Sequence, residues 1–364
     1  MISSCSPSAS PSTGEAERAL HAIRLDFWRK ICLMAILSIV TVLVCLYSSF
    51  IGVTDVHLAQ IIHRFIPIWP LGDYPPLSDS QWVAFSLIRL PRIAISIFAG
   101  AALACSGAIM QVITANDLAS PFTTGIANAA ACGASLAILS GISLFSSFQL
   151  ATILLACIMA GLCSIAVFAI ASIRQMGRQT IVLTGIAFSY LFAAISAAMQ
   201  FIADERELSS IVSWTFGNVG AASWPQIWIL ASAVAICSAI AMVNADRYTL
   251  ISTGEDAARG MGVDVVSLRR LSAIMITILA SITVSFTGVI GFVGLVAPHL
   301  ARMTVGHHYR YTLPTSLIMG ALLVVSADTI GRTIVSPAII PVGIVVSIIG
   351  IPFFIGLIIH RQDH

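Results

Sequence analysis

Asp328 and Arg332 are the residues whose chemistry most needs an explanation, because both fall in a long apolar stretch. A charge at the centre of a membrane-spanning helix costs about 3 kcal/mol, so such residues commonly serve proton or ion transfer. The spacing of four residues places the carboxylate and the guanidinium one helical turn apart, where they can neutralise each other. We favour a structural ion pair. The alternative, a proton relay in an ion-coupled carrier, stays open.

The chain has a single lysine, Lys30, and this lysine is not part of a phosphate-binding loop. A P-loop ends in Gly, Lys and Ser or Thr after a glycine-rich turn, whereas Lys30 stands between Arg29 and Ile31. The chain is therefore not a self-contained P-loop ATPase. Three possibilities remain: a separate subunit hydrolyses nucleotide, an ion gradient drives transport, or the protein is a membrane scaffold or receptor that transports nothing.

Composition indicates which elements position these residues. Hydrophobic residues make up 58% of the chain and charged residues 9%, against about 25% charged residues in soluble proteins. A bilayer core needs about 20 mostly apolar residues per helix, and such runs recur along the chain. We predict an all-α integral membrane protein with about ten spans, near residues 27–50, 92–114, 122–141, 147–173, 180–202, 226–244, 270–290, 292–305, 311–334 and 341–360.

The basic residues predict the orientation, because Lys and Arg are enriched in cytoplasmic loops. Most of them fall on one side of the predicted spans, together with both chain termini, and we assign that side to the cytoplasm. We interpret residues 1–26, rich in Ser and Pro, as a disordered cytoplasmic leader and residues 27–361 as one transmembrane domain. The opposite side keeps five arginines: Arg64, Arg89, Arg92, Arg206 and Arg332.

No spacing of cysteine or histidine suits a metal or redox site, so we expect neither a metal nor a cofactor. Nothing in the charge pattern indicates nucleic-acid binding. The longest cytoplasmic loop, residues 244–270, contains a short predicted helix with acids in its first turn, a later arginine and a glycine-rich stop. Its composition fits two interpretations equally well: a solvated turn, or a knob that fits a groove on a partner protein. The candidate partner-binding residues of this element are Gly254, Glu255, Ala258, Arg259, Gly260 and Gly262.

A break in the helical pattern follows that loop within the membrane. Gly288, Gly291 and Gly294 recur at intervals of three, and Pro298 comes next. Broken helices at membrane depth are tolerated only where they are buried in protein or line a cavity. We therefore predict a helix break in this segment, and we interpret the neighbouring His299 as a hydrogen-bonded core residue.

Several ordered motifs together resemble the permease family of ATP-binding cassette (ABC) importers for iron chelates, haem and cobalamin. In the N-terminal half these are Arg89, Leu90, Pro91, Arg92 and then Gly100, Gly107, Gln111, Asn116, Leu118, Ala119, Pro121 and Gly125. In the C-terminal half they are residues 254–263 and 291–302, Ala327, Asp328 and Arg332, and residues 341–345 and 350–354. The similarity runs from about residue 30 to residue 361.

The resemblance implies a type II ABC importer permease, a homodimer with ten spans per subunit around a central pathway. Two copies of a separate cytoplasmic ATPase would bind below and a soluble periplasmic substrate-binding protein above. The expected cargo is a ferric siderophore or haem, with cobalamin as the alternative, and the expected location is the bacterial inner membrane. The permease itself would catalyse no reaction.

The resemblance also implies roles for particular residues. Residues 254–262 match the family's coupling helices, which sit in a cleft of the ATPase. Arg89, Arg92 and Arg332 match arginines that face the periplasm and pair with acids on the binding protein. This chain departs from the family where Asn-Pro-Leu-Ala-Asp-Pro is usual, because Asp117 replaces the first proline and Ser120 the acid.

Overall fold

The structure, a computed structural model, describes residues 13–51, 57–66, 74–144, 147–173, 177–335 and 338–360. The regular structure of these residues is helical apart from one isolated bridge between Leu144 and Ser147, so the all-α prediction is confirmed. A π-helical segment, Ala84–Arg89, joins α3 to α4, and a 3-10 segment, Pro121–Thr124, precedes α5. The helices are α1 (Thr13–Phe50), α2 (Leu58–Phe65), α3 (Asp79–Val83), α4 (Leu90–Thr114), α5 (Ile126–Ser140), α6 (Phe148–Ile173), α7 (Arg178–Ile202), α8 (Glu205–Thr215), α9 (Trp224–Val243), α10 (Ala245–Thr253), α11 (Glu255–Gly260), α12 (Val265–Thr287), α13 (Val293–Val305), α14 (Tyr309–Thr333) and α15 (Val342–His360).

Each predicted span overlaps one of these helices, but not all of them qualify as membrane-spanning. Within the described residues, seven helices are long and apolar enough to cross a membrane: His21–Phe50, Asp79–Thr114, Phe148–Ile173, Arg178–Ile202, Trp224–Val243, Val265–Thr287 and Tyr309–Thr333. The helices α5 and α13 are shorter, with 15 and 13 residues. The count of ten spans therefore stays a prediction.

Two helix starts differ from the expected boundaries. The helix α1 begins at Thr13, so residues 13–26 are helical where we expected a disordered leader, and residues 1–12 lie outside the described part of the chain. The second long helix begins at Asp79 instead of near residue 92. Ser78 caps it by accepting a hydrogen bond from the Gln81 backbone nitrogen at 3.3 Å, which satisfies an otherwise unpaired N–H group.

The helix α4 lies at the centre of the bundle, and nearly all of its residues are buried. Small residues bring other helices against it, because a side chain at Gly100 would overlap the Gly320 carbonyl of α14. A side chain at Gly107 would likewise overlap the Gly294 carbonyl of α13. Such close backbone approach is how helices pack where the surrounding lipid provides no hydrophobic driving force.

Candidate coupling and docking sites

The predicted coupling element consists of the two short helices α10 and α11 and the turn into α12. Gly254 separates the two helices with φ at 151°, and Gly262 ends the turn after α11 with φ at 85°. Both values fall in the region that favours glycine. Asp264 then caps α12, accepting a hydrogen bond from the Ser267 nitrogen at 3.0 Å. Local sequence thus shapes a compact knob between two long helices.

Glu255, the first residue of α11, is the centre of a charge cluster. Arg269 of α12 donates to both of its carboxylate oxygens, at 2.8 and 3.2 Å. Arg259 of α11 donates at 2.8 Å, and Arg178 of α7 forms an ion pair at 3.1 Å. Partial burial raises the pKa of Glu255. The hydrogen bonds from Arg269 and Arg259 lower it by more than burial raises it, so the pKa of Glu255 lies below its usual value. Glu255 is thereby a structural anchor within this chain.

Arg269 connects the coupling element to the core of the bundle. Only 2% of its side chain is exposed, and its Nε donates to the Ile113 carbonyl, near the end of α4, at 3.1 Å. The same guanidinium thus binds Glu255 on one side and α4 on the other. In the sequence Arg269 is one of the many basic residues on the side assigned to the cytoplasm. Its place on the apolar face with Val265, Leu268 and Ser272, at helical spacing, was the available signal.

The exposed side of α11 is where a partner can bind. Ala258 is fully buried, so this predicted site residue packs inward, beneath the surface that a partner would meet. The Arg259 side chain is 51% exposed and Met261 is 65% exposed. The exposed residues of α11 and of the turn after it are Asp256, Ala257, Arg259, Gly260, Met261 and Gly262.

The chain leaves the helical conformation between α12 and α13, in the segment that carries the predicted break. Gly288 has φ at 66°, and a side chain there would overlap the Trp214 carbonyl. Phe292 adopts the left-handed conformation, with φ at 63°, which is unusual for a bulky residue. Gly291 has open space around it, so its role is not steric. Pro298 lies inside α13, and Gly294 packs on α4.

Asp328 and the three predicted docking arginines form one buried network. Arg92 donates to both Asp328 carboxylate oxygens, with its Nε at 2.9 and 3.1 Å, and Arg332 forms an ion pair with Asp328 at 3.2 Å. Asp328 is 2% exposed. The neutralisation of Asp328 by Arg332 is therefore only part of the arrangement, because Arg92 of α4 is the better-aligned partner.

Arg89 and Arg332 also hold the end of α1. Arg89 donates to the Ser49 and Phe50 carbonyls at 3.2 and 3.3 Å, and Arg332 to those of Ser48 and Ile51 at 3.2 and 3.1 Å. These are the final carbonyls of a helix, which have no intrahelical partners. In this conformation the arginines therefore join α1 to α4 and α14. Their docking role stays a prediction.

Comparison with known proteins agrees with this architecture. The profile of the FecCD transport family matches residues 39–360. The chain belongs to the FecCD transport family. It is 33% identical to the hemin transport system permease HmuU of Yersinia pestis, over 79% of this chain and 86% of that one. It is 31% identical to the molybdate import system permease MolB of Haemophilus influenzae, over 89% of this chain and 94% of that one.

A solved structure described as an inward-facing metal-chelate type ABC transporter superposes with a TM-score of 0.77 at 30% identity, covering 90% of this chain and 99% of that one. The resemblance drawn from the motifs is thus confirmed. This FecCD chain is a multi-pass permease of an ABC importer.

One further polar link in this FecCD permease was missed from the sequence. Arg302 of α13, only 7% exposed, donates to the Gln111 side chain at 2.7 Å and forms an ion pair with Asp117 at 3.3 Å. Asp117 is the acid that stands where the family usually has proline. No local pattern signals this contact, because Asp117 and Arg302 are far apart in sequence. The ion pair links the α4–α5 loop to α13.

Proposed function

We propose that the protein is a homodimeric permease of the bacterial inner membrane that imports an iron chelate, a ferric siderophore or haem, driven by a separate cytoplasmic ATPase. The observation that carries the proposal is the α11 surface, which is exposed while its base is fixed to α4 through Glu255 and Arg269. A knob with a rigid base can transmit ATPase closure into the bundle as a shift between conformations. The exposed Arg259 provides a positive charge for contact with the ATPase.

Reversing one exposed charge tests the ATPase contact. We expect Arg259→Glu to weaken copurification of the ATPase and ATP-driven uptake together, because a reversed charge meets the wrong sign on the partner. The matched control is Arg270→Glu, which changes an exposed arginine outside the knob. Normal uptake by the Arg259→Glu variant in proteoliposomes would contradict the assignment of α11.

We propose that Arg89, Arg92 and Arg332 bind the substrate-binding protein. In this conformation all three arginines bind groups of this chain. Docking would require an acid of the binding protein to replace α1 carbonyls as the partner of an arginine. We expect Arg332→Gln to lower binding-protein affinity in low salt, and the exposed Arg206→Gln to leave it unchanged. Unfolding temperatures of both variants separate lost docking from lost stability. Unchanged affinity in a folded Arg332→Gln variant would reject docking there.

The second copy is proposed to pack on α7. Large apolar side chains are exposed along it, with Leu183 at 66%, Tyr190 at 76% and Phe201 at 90% exposure. A central pathway between two copies also suits a permease whose binding protein performs the selection. Disulfide crosslinking of Tyr190→Cys in native membranes, compared with Ile39→Cys on α1, measures this contact. Monomers only at Tyr190→Cys would contradict it.

Cargo identity is the least constrained part of the proposal, since relatives of similar identity carry names for hemin and for molybdate transport. Cobalamin stays the alternative that the motifs imply. The discriminating measurement is which of four ligands, ferric siderophore, haem, cobalamin or molybdate, stabilises the partner binding protein against thermal unfolding. Stabilisation by molybdate alone would overturn the iron-chelate assignment.

An ion-coupled carrier is the competing class of function, with Asp328 as its titrating group. Two arginines contact that carboxylate within the helical bundle, which supports a structural ion pair over a proton relay. Reconstitution with and without the ATPase, under ATP or under a proton gradient, distinguishes the two classes. Gradient-driven uptake by the chain alone, abolished in Asp328→Asn, would reject the ATP-driven proposal.

A further inference from the structure

An apolar cavity of about 620 Å³ lies between α1 and the central bundle. It is lined by residues of α1, α4, α9 and α14 and by Phe85 of the π-helical segment, and almost all of the lining atoms are carbon. The lining residues include Cys45, Ile93, Ala101, Val234 and Leu317. The cavity borders the docking arginines only at one end, where the lining residues Ser49 and Phe50 accept hydrogen bonds from Arg89 through their carbonyls.

The hydroxyl groups on the α1 wall of the cavity already donate their hydrogens within α1. Its residues recur at helical spacing and form one face: Ser38, Thr41, Val42, Cys45, Leu46 and Ser49. The hydroxyls of Ser38 and Thr41 each donate to the backbone carbonyl four residues earlier, at 2.8 Å. Ser49 donates to the Leu46 carbonyl at 2.7 Å. A polar cargo would lose its water here without replacement, so an apolar ligand fits best.

The cavity has the length of one lipid acyl chain. A rise of 1.5 Å per residue places Ser38 about 16 Å from Ser49 along α1. One leaflet of a bilayer with a hydrocarbon core of about 30 Å is about 15 Å thick. The cavity therefore extends from the end of α1 to about the middle of the membrane, the depth that an acyl chain of that leaflet reaches.

A cationic and aromatic pair lies beside the outer end of this cavity. The short helix α2 contributes Ile61 to the lining, and Arg64 follows one helical turn later. The Arg64 guanidinium lies 5.6 Å from the centre of the Trp82 ring, and Trp82 packs with Phe85, another lining residue. Arg64 is exposed, and its pairing with Asp79 is loose, at 3.9 Å. Tryptophan and arginine together are typical of the bilayer interface, and guanidinium groups bind phosphates.

We propose that this cavity is a binding site for one membrane glycerophospholipid, with an acyl chain between α1 and α4 and its phosphate at Arg64. The lipid would fill the space that α1, which packs mainly on α14, leaves open against the rest of the bundle. This gives Arg64 a role that is separate from cargo and from partner proteins. The inference requires only that the chain spans a membrane, so it stands or fails independently of the cargo and of the ATPase.

Photocrosslinking tests the acyl-chain site directly. The full-length permease is reconstituted with phosphatidylglycerol that carries a diazirine within one acyl chain, irradiated, and mapped by peptide mass spectrometry. We expect labelling at the cavity face of α1 and at Ile93 and Ala101, in excess of labelling at Val40 and Tyr47, which are exposed on the opposite side of α1. Equal labelling of both faces would mean ordinary surrounding lipid and would overturn the proposal.

Filling the cavity provides the matched variants. We expect Cys45→Trp to lower labelling of Ile93 and Ala101 about tenfold, equivalent to roughly 1.4 kcal/mol of binding free energy. Val40→Trp, on the side of α1 opposite the cavity, is expected to leave this labelling unchanged. If Cys45→Trp fails to fold, Thr41→Phe fills the same cavity with a smaller change. Undiminished labelling in a folded cavity-filling variant would reject the site.

Native mass spectrometry tests the phosphate contact. A basic residue near a membrane surface contributes about 1 kcal/mol towards an anionic lipid, so we expect Arg64→Gln to lower retained phosphatidylglycerol about fivefold. Arg64→Lys keeps the charge and is expected to retain most of the lipid. Equal retention in Arg64→Gln and the unaltered protein would overturn the headgroup assignment.

Discussion

Replacing Glu255 by glutamine removes the charge that three arginines share and keeps the shape of the side chain. The structure predicts unequal consequences for those arginines. Arg269 is almost fully buried and would keep its charge without a carboxylate, whereas Arg259 is half exposed and would be solvated. The cost of Glu255→Gln therefore arises mainly from Arg269.

The magnitude follows from this difference in burial. Removing one partner of a buried ion pair costs about 3–5 kcal/mol. The Glu255 carboxylate is 21% exposed, and a glutamine oxygen can still accept one hydrogen bond from Arg269. We therefore expect the lower end, about 3 kcal/mol or a change of roughly 150-fold in the unfolding equilibrium. Arg259→Gln breaks only an exposed pair and is expected to cost about 0.2–1 kcal/mol.

The assay is chemical denaturation of the purified permease in detergent, followed by tryptophan fluorescence over a range of pH. Because the folded pKa of Glu255 is lowered, its contribution is complete above the unfolded value of about 4.3. The contribution is lost as pH falls through the lower folded value. The difference between the unaltered protein and Glu255→Gln should thus be constant at neutral pH and shrink in acid. Similar costs for Glu255→Gln and Arg259→Gln, or a difference independent of pH, would refute the anchor.

Three further predictions concern other parts of the structure. Gly107→Ala should destabilise the permease by at least about 3 kcal/mol, because its methyl group would overlap the Gly294 carbonyl. Gly291 has open space around it, so Gly291→Ala should change stability by less than about 0.5 kcal/mol. Equal unfolding midpoints for the two variants would contradict this. Asp328→Asn should cost about 3–5 kcal/mol by leaving Arg92 without its carboxylate, and calorimetry measures it. Asp117→Asn should destabilise the protein more than Arg302→Gln, since it leaves the buried Arg302 without a carboxylate, whereas the partly exposed Asp117 can be solvated. The reverse order would be inconsistent with the Arg302–Asp117 ion pair.

The helices were predictable because apolar runs and their polar interruptions dictate where a helix can cross lipid. Boundaries failed where a local cap acted beyond the apolar run, as Ser78 does for the helix that begins at Asp79. The Asp328–Arg332 pair was predictable, since it is local in sequence. Its stronger partner Arg92 was not, because 236 positions separate the two residues and no local pattern reports such a contact.

The coupling element shows the same limit. Its existence followed from Gly254, Glu255 and the motif around them, but the motif could not say which of its residues face a partner. The structure divides them, with Ala258 and the Glu255 carboxylate turned towards the chain and Arg259 turned away. That division depends on Arg269 of α12 and Arg178 of α7, which bind the Glu255 carboxylate. A pattern within one loop carries no information about them.

Buried arginines hold α4 at both of its ends, which suggests how the two faces of the permease can communicate. At one end Arg92 binds Asp328 of α14, and Arg89 binds the last carbonyls of α1. At the other end Arg269 donates to the Ile113 carbonyl. The coupling element is thus connected through Arg269 and α4 to the opposite membrane face. Displacement of α11 against α4 must strain the Arg269 contacts first, so this arginine, more than the exposed Arg259, should determine how firmly the two faces move together.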